Sequence, residues 1–203
     1  EEENQETLML EYIEGETLEN IQKMRLTIAD KYKIIFEIIL IINYFHHHRF
    51  VYRDLKPNNV MLDRNKTIIL IDLDRMISED EIANKNEEDT TIIIHQYSSP
   101  ELKEGKLISY STDIYSLSML MFYLIFEKEP SISKIEETKC QPILELIKRS
   151  TRENPKERPN IIEVLKYFYV EFFSKVRNEL IETDVINNLN NIDNDIYIEY
   201  KII

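Results

Sequence analysis

This sequence predicts an α+β fold, mainly α-helical, on three observations. Ala29 to His48 carries Ile34, Ile35, Ile38, Ile39, Ile41, Ile42 and Phe45, an apolar density that fits a helix buried on most sides. From Ser111 onward the chain reads helical over 111–126, 140–149 and 160–182, with Tyr115, Leu117, Met119, Leu120 and Phe122 as core. Between these blocks, two short strands flank an Asp63 to Lys66 turn.

Taken in order, acidic residues 1–6 end a turn, a strand runs to about Tyr12, and a short helix follows near Leu18 to Met24. The long apolar helix and the two short strands come next. Residues 75–95, with Glu79, Asp80, Glu81, Glu87, Glu88 and Asp89, form a polar excursion that packing has little reason to order. The end, NNLNNIDNDIYIEYKII, is an Asn-rich linker followed by a strand-like run. A chain of 203 residues with 43% hydrophobic content can bury one substantial core and still carry extensions.

Composition excludes several classes. A net charge of -13 argues against nucleic acid and against an anionic membrane surface as partners. The single Cys140 cannot form an internal disulfide, which fits a reducing, cytoplasmic (intracellular) setting. No apolar run approaches the ~20 residues that span a bilayer; the longest, Leu117 to Phe126, is about half that and contains Ser118. No signal peptide is visible. The triplet His46 to His48 does not read as a metal site, because consecutive helical residues point about 100° apart.

The chemistry-bearing stretch is YRDLKPNNVML, residues 52–62, followed by LIDLD at 70–74. Asp54 and Asn59 lie five apart, and Asp72 follows thirteen residues after Asn59. A metal-assisted phosphoryl transfer needs one carboxylate on the incoming hydroxyl and further oxygens on magnesium. Asp54 suits the first task, and Asn59 with Asp72 the second. Lys56 can reach the transferred phosphate. The blander alternative is an ordinary turn, since Asp, Pro and Asn supply turn geometry without catalysis. Asp72 and Asp74 also read as solvated acids ending a buried strand. Asp113 differs, because a carboxylate opening so apolar a segment is buried beside it and must be hydrogen-bonded.

These residues resemble the eukaryotic protein kinase family of Ser/Thr type. YRDLKPNN stands where the family reads H-R-D-L-K-P-x-N, and IDLD where it reads x-D-F-G. LMLEYIEGETL looks like the last small-lobe strand running into the hinge. YSSPE at 97–101 is similar to Y-x-A-P-E, STDIYSLSML from 111 to S-D-x-W-S-x-G, and NPKERP at 154–159 to D-P-x-x-R-P. The resemblance covers roughly residues 7–170. It implies a kinase-like large (C-terminal) lobe with the last small-lobe strand and hinge, a partial kinase domain over 1–173 and an extension over 174–203.

The resemblance further implies ATP and Mg2+ as cofactors and a protein as substrate. Leu10 would be the gatekeeper, Glu11 and Ile13 would lend backbone groups to adenine, and Met61 would floor the adenine pocket. Glu101 would pair with Arg158, Asp113 would cap the catalytic loop backbone, and His46 would be structural. Arg53 would receive a phosphate placed on Thr90 and so order the acidic loop.

Several family features have no counterpart here. The family's Gly-rich loop, strand Lys and helix Glu are not found, and with only Gly15 and Gly105 no phosphate-cradling loop can be built. Asp74 replaces the Gly of D-F-G, and Ile94 stands where a Thr bonds the catalytic Asp in Ser/Thr kinases. The expectation is therefore a fragment that enters at the last small-lobe strand, awaits its small lobe or a regulatory partner, and binds ATP weakly or not at all alone. For the parent protein a kinase ranks first, a non-catalytic pseudokinase scaffold second and a small-molecule kinase of aminoglycoside phosphotransferase type third. For these 203 residues alone the scaffold ranks first.

Overall fold

The computed structural model describes residues 12–84, 94–139 and 142–176. The chain opens with strand β1 (Gly15–Thr17) and a 3-10 turn, Leu18–Lys23. Helix α1 (Ile28–His47) follows. Thr27 and Asp30 close a reciprocal capping box at its start: Thr27 Oγ1 accepts from the Asp30 amide at 3.1 Å and Asp30 Oδ2 accepts from the Thr27 amide at 2.9 Å. Strand β2 (Phe50–Val51) leads through an irregular segment to a 3-10 turn at Pro57–Asn59, then to β3 (Val60–Asp63) and β4 (Ile68–Leu70).

Two small antiparallel sheets result. In the first, β3 is central, pairing Met61 with Thr17 of β1 and with Ile69 of β4. Gly15 allows β1 to approach, because a Cβ there would lie 2.4 Å from the Leu62 carbonyl oxygen. In the second, β2 pairs with β5 (Ile77–Ser78), setting Val51 opposite Ile77. Helix α2 (Glu79–Asn84) follows, and then α3 (Pro100–Lys103), α4 (Tyr110–Phe126), α5 (Ile132–Glu137), α6 (Pro142–Ser150) and α7 (Ile161–Val176).

The core forms between α1, α4, α6 and α7. Every residue of α4 from Thr112 to Ile125 is buried, so this helix has no solvent face. Helix α1 presents Tyr32 and Phe36 to α7, where they stack on Phe168 and Phe172 at centroid distances of 5.4 and 4.8 Å. At the far end of α4, Glu127 takes a left-handed backbone (φ 52°) and accepts from the buried Lys31 of α1 at 2.5 Å.

The structure departs from the sequence expectation in two places. Residues 77–84 are ordered, not a loose polar excursion. Ile77 is buried against Val51, the Glu79 amide donates to Arg49 O at 2.8 Å, and Ser78 and Glu81 cap α2 reciprocally. Strand β1 lies at Gly15–Thr17, whereas the expected strand before Tyr12 falls outside the described residues. The short helix expected near Leu18 to Met24 is present as the 3-10 helix Leu18–Lys23, with a non-helical backbone at Asn20. Residues 85–93, 140–141 and 177–203 also lie outside the described residues, as does most of the 174–203 extension.

The α1–α7 aromatic interface carries a stability prediction. Replacing the fully buried Phe168 with Ala should cost about 3–5 kcal/mol in urea unfolding. The same change at exposed Val170, two residues on and on the other side of α7, should stay within about 0.5 kcal/mol.

Candidate active site

The site forms where the irregular segment Tyr52–Lys56 crosses the start of α4. Asp113, in the first turn of α4, is fully buried. Its Oδ2 accepts from the Tyr52 amide at 2.9 Å and its Oδ1 from the Arg53 amide at 2.8 Å. His46 Nε2, from the end of α1, donates to Oδ2 at 2.9 Å. One carboxylate thus ties α1, the segment after β2 and α4 together. It also holds Arg53 in a left-handed backbone (φ 71°), a conformation that costs a non-glycine residue free energy and persists only where the surroundings fix it.

That turn delivers Asp54, which is 1% exposed. Asp54 Oδ1 accepts from His95 Nε2 at 2.9 Å. Oδ2 accepts from Lys56 Nζ at 2.8 Å and Asn59 Nδ2 at 2.9 Å, and Arg75 Nε lies 3.5 Å away. Burial alone would raise this carboxyl, but the donors His95, Lys56 and Asn59 and the Lys56 charge hold it below its ordinary value. Asp54 is therefore an anion at neutral pH.

Asn59 also donates to the Asp54 carbonyl at 2.9 Å, which closes the loop between them. The Ile71 amide donates to Asn59 O at 2.9 Å, and Tyr52 Oη donates to Ile71 O at 2.8 Å. These bonds bring Asp72 beside Asn59. Asp72 is exposed and left-handed (φ 64°), the second strained residue of the site. Burial, followed by the charges of Asp54 and Asp72, pushes the Tyr52 phenol well above its usual range.

A second buried constellation supports the first. Arg158 Nη1 and Nη2 donate to Glu101 Oε1 and Oε2 at 2.7 and 2.8 Å. The same guanidinium donates to the carbonyls of Ser111, Glu153 and Arg152, so all five of its N–H groups are satisfied. Thr112 Oγ1 donates to Glu101 Oε1 at 3.1 Å, and the Tyr115 ring lies 5.0 Å under the Arg158 Cζ.

The structure thus brings together Asp54, Lys56, Asn59 and Asp72, and separately Glu101 with Arg158. Ile13 and Met61 are half-buried, with Met61 on the central strand of the first sheet. Leu10, Glu11 and Thr90 lie outside the described residues. The expected loss of a donor at Ile94 is answered differently: Ile94 is 55% exposed, and the next residue, His95, reaches Asp54. His95 and Arg75 escaped the sequence reading. The only signal for His95 was one titratable residue after the apolar run Ile92–Ile94.

The sequence profile for the protein kinase domain matches residues 1–186. The chain belongs to the protein kinase domain family.

Among relatives, this kinase domain is 28% identical to the serine/threonine-protein kinase nekl-2 of Caenorhabditis elegans, over 80% of this chain and 52% of that one. It is 26% identical to the serine/threonine-protein kinase Nek6 of Oryza sativa, over 77% and 32%. It is 27% identical to the serine/threonine-protein kinase PknB of Mycolicibacterium smegmatis, over 62% and 20%. The chain spans about half the length of the first relative and less of the other two.

The Glu101 carboxyl illustrates the energetics of this kinase domain. Burial raises it, but the Arg158 hydrogen bonds hold it below its ordinary value of 4.5, so the pair stabilises the fold above that pH and the contribution fades as pH falls through the lowered value. Glu101→Ala should cost about 3–5 kcal/mol at pH 7, because it strands a buried guanidinium. The wild-type advantage over Glu101→Gln in thermal melts should shrink as the pH falls below 4.5.

Proposed function

We propose that this chain is the hinge and large lobe of a Ser/Thr-type protein kinase, transferring the γ-phosphoryl group of ATP to a protein hydroxyl. The observation that carries this reading is the buried, anionic Asp54 held by Lys56 and Asn59 beside Asp72. Among the described residues His95 is the one side chain at hydrogen-bond distance from Oδ1, which leaves that oxygen a lone pair for an acceptor hydroxyl. The hydroxyl oxygen forms the new P–O bond, the bond from phosphorus to the ADP oxygen breaks, and the hydroxyl proton passes to Asp54. Lys56 lies where it can balance charge on the group in flight. A Ser/Thr preference follows from Lys56 and Pro57 after Asp54 and Leu55, and from the Ser/Thr kinases among the relatives.

Asn59 through Oδ1 and Asp72 through its carboxylate would hold Mg2+. Both are hard oxygen donors, as that ion requires. Among the described residues no three His, Cys, Asp or Glu side chains form an all-protein metal cage, which matches an ion that shares its shell with phosphates and water. The ion would neutralise charge on the phosphates. Among the described residues no helix is long and apolar enough to cross a membrane. A cytoplasmic protein substrate, with no nucleic acid, fits the net charge of -13.

A second reading, a scaffold without catalysis, is favoured by Asp74 in the position of the D-F-G glycine, which sets a further negative charge next to Asp72. The small-molecule kinase reading is disfavoured by the Glu101–Arg158 pair, since the aminoglycoside-type motifs lack that segment.

In the full-length protein, Asp54→Asn should abolish transfer of labelled phosphate from ATP while leaving the melting temperature within a few degrees. Equal incorporation by mutant and wild type would sink the assignment. For the 203-residue chain alone, which has no Gly-rich loop, micromolar ATP with Mg2+ should leave the melting curve unshifted.

A further inference from the structure

His95 is absent from every motif that identifies the family, yet among the described residues it makes the one hydrogen bond to Asp54 Oδ1. We propose that His95 is a positioning residue for phosphoryl transfer, fixing the Asp54 carboxylate through its Nε2–H and supplying the donor that Ile94 lacks. The inference rests on Asp54 being the catalytic carboxylate.

The ring's protonation pattern follows from its partners. The Tyr97 amide lies 3.2 Å from His95 Nδ1, and a backbone N–H can only donate, so Nδ1 carries a lone pair. The proton of the neutral ring therefore sits on Nε2 and points at Asp54 Oδ1, 2.9 Å away. The ring is also held from its own backbone. The His95 amide donates to Ser98 Oγ at 3.1 Å, and the Ser98 amide returns to His95 O at 3.0 Å. Tyr97 anchors that turn, since it is buried and its ring meets Tyr123 of α4 edge-on at 6.3 Å. The turn is thus fastened to α4, the helix whose Asp113 fixes the backbone of Arg53 from the other side.

The consequence is an Asp54 clamped at both oxygens by groups on two separate segments. Asn59 and Lys56 hold Oδ2 from the loop that follows Asp54, whereas His95 holds Oδ1 from 41 residues downstream. Without His95, Arg75 at 3.5 Å from Oδ2 is the nearest further cation, and rotation of the carboxylate toward it would turn the free lone pair away from an acceptor hydroxyl. A neutral N–H donor fixes Oδ1 without adding a further cation to the Lys56 charge already on Oδ2. Because the contact depends on residues 95–98 lying against α4, displacement of that turn would release the carboxylate.

The test uses the full-length protein with MgATP and histone as a generic basic acceptor. His95→Ala should lower kcat about 10- to 100-fold with the KM for ATP within about twofold, the pattern of a misplaced catalytic group. His95→Gln should restore most of the loss, because its amide N–H reaches the same oxygen, whereas a residue needed only for packing would not be rescued by donor chemistry. Ring 15N spectra at neutral pH should show Nε2 protonated and Nδ1 bare, with the Nε2–H signal moving in Asp54→Ala. An unchanged kcat in His95→Ala, or the opposite tautomer in the wild type, overturns the proposal. A wild type that transfers no phosphate while the ring signals keep the stated pattern overturns the kinase reading and the catalytic role with it, leaving a contact without function.

Discussion

The structure depends on a single fully buried carboxylate, Asp113. Its two oxygens take three hydrogen bonds, from the Tyr52 and Arg53 amides and from His46. A charge with no access to water is tolerable only when its lone pairs are engaged, so each donor is obligatory. The two amides belong to a segment with no regular secondary structure, whose own N–H groups would otherwise be orphaned where the chain is buried. The carboxylate and the loop therefore solve each other's desolvation problem. Because α4 is buried on every side over fourteen residues, Asp113 cannot shift to follow the loop. The loop must adapt, and it does so by placing Arg53 at positive φ.

This constraint propagates to the site. Once Arg53 is turned, Asp54 is directed inward, where burial would favour its neutral form. Four nitrogen donors or cations surround it, from Lys56, Asn59, His95 and Arg75. A chain with 38 acidic and 25 basic residues thus concentrates basic side chains at one acid. The contrast with Glu101 is instructive. There a single Arg158 supplies a bidentate fork, Thr112 adds a third bond, and the remaining Arg158 N–H groups go to carbonyls, giving a closed unit. Asp54 is held by separate groups on separate segments, an arrangement that leaves room for a hydroxyl and allows the hold to be loosened.

The long helices were legible because their signals are local and redundant. Helix α1 starts at a Thr-x-x-Asp box and carries an apolar residue at nearly every inward position, and α4 is an unbroken apolar and aromatic run from Met119 to Phe126. The β3–β4 hairpin was legible from its turn. Strand β1 was not, since Gly-Glu-Thr has no strand character of its own and exists as a strand only because Gly15 can lie against Leu62. Residues 77–84 look like solvated acids in one dimension, and their order comes from Arg49, whose Nε donates to Glu79 at 3.0 Å, and from Ile77 completing a two-residue sheet. Helix α3 has four residues, too few for any period to appear.

The site divides along the same line. Asp54 and Asn59 meet within one short loop, and five residues of spacing suffice to place them together. The partners that reach Asp54 from afar obey no spacing rule. Ile94 illustrates why matching by position alone misleads: an apolar residue in a donor's place implies a missing hydrogen bond only if the backbone keeps its register. Here Ile94 is turned to solvent and the ring of His95 enters in its stead, because the Ser98 cap and the buried Tyr97 set the rotation of that turn. The requirement conserved by the physics is a donor at Asp54 Oδ1, and the sequence position that meets it is decided by how residues 95–98 pack on α4.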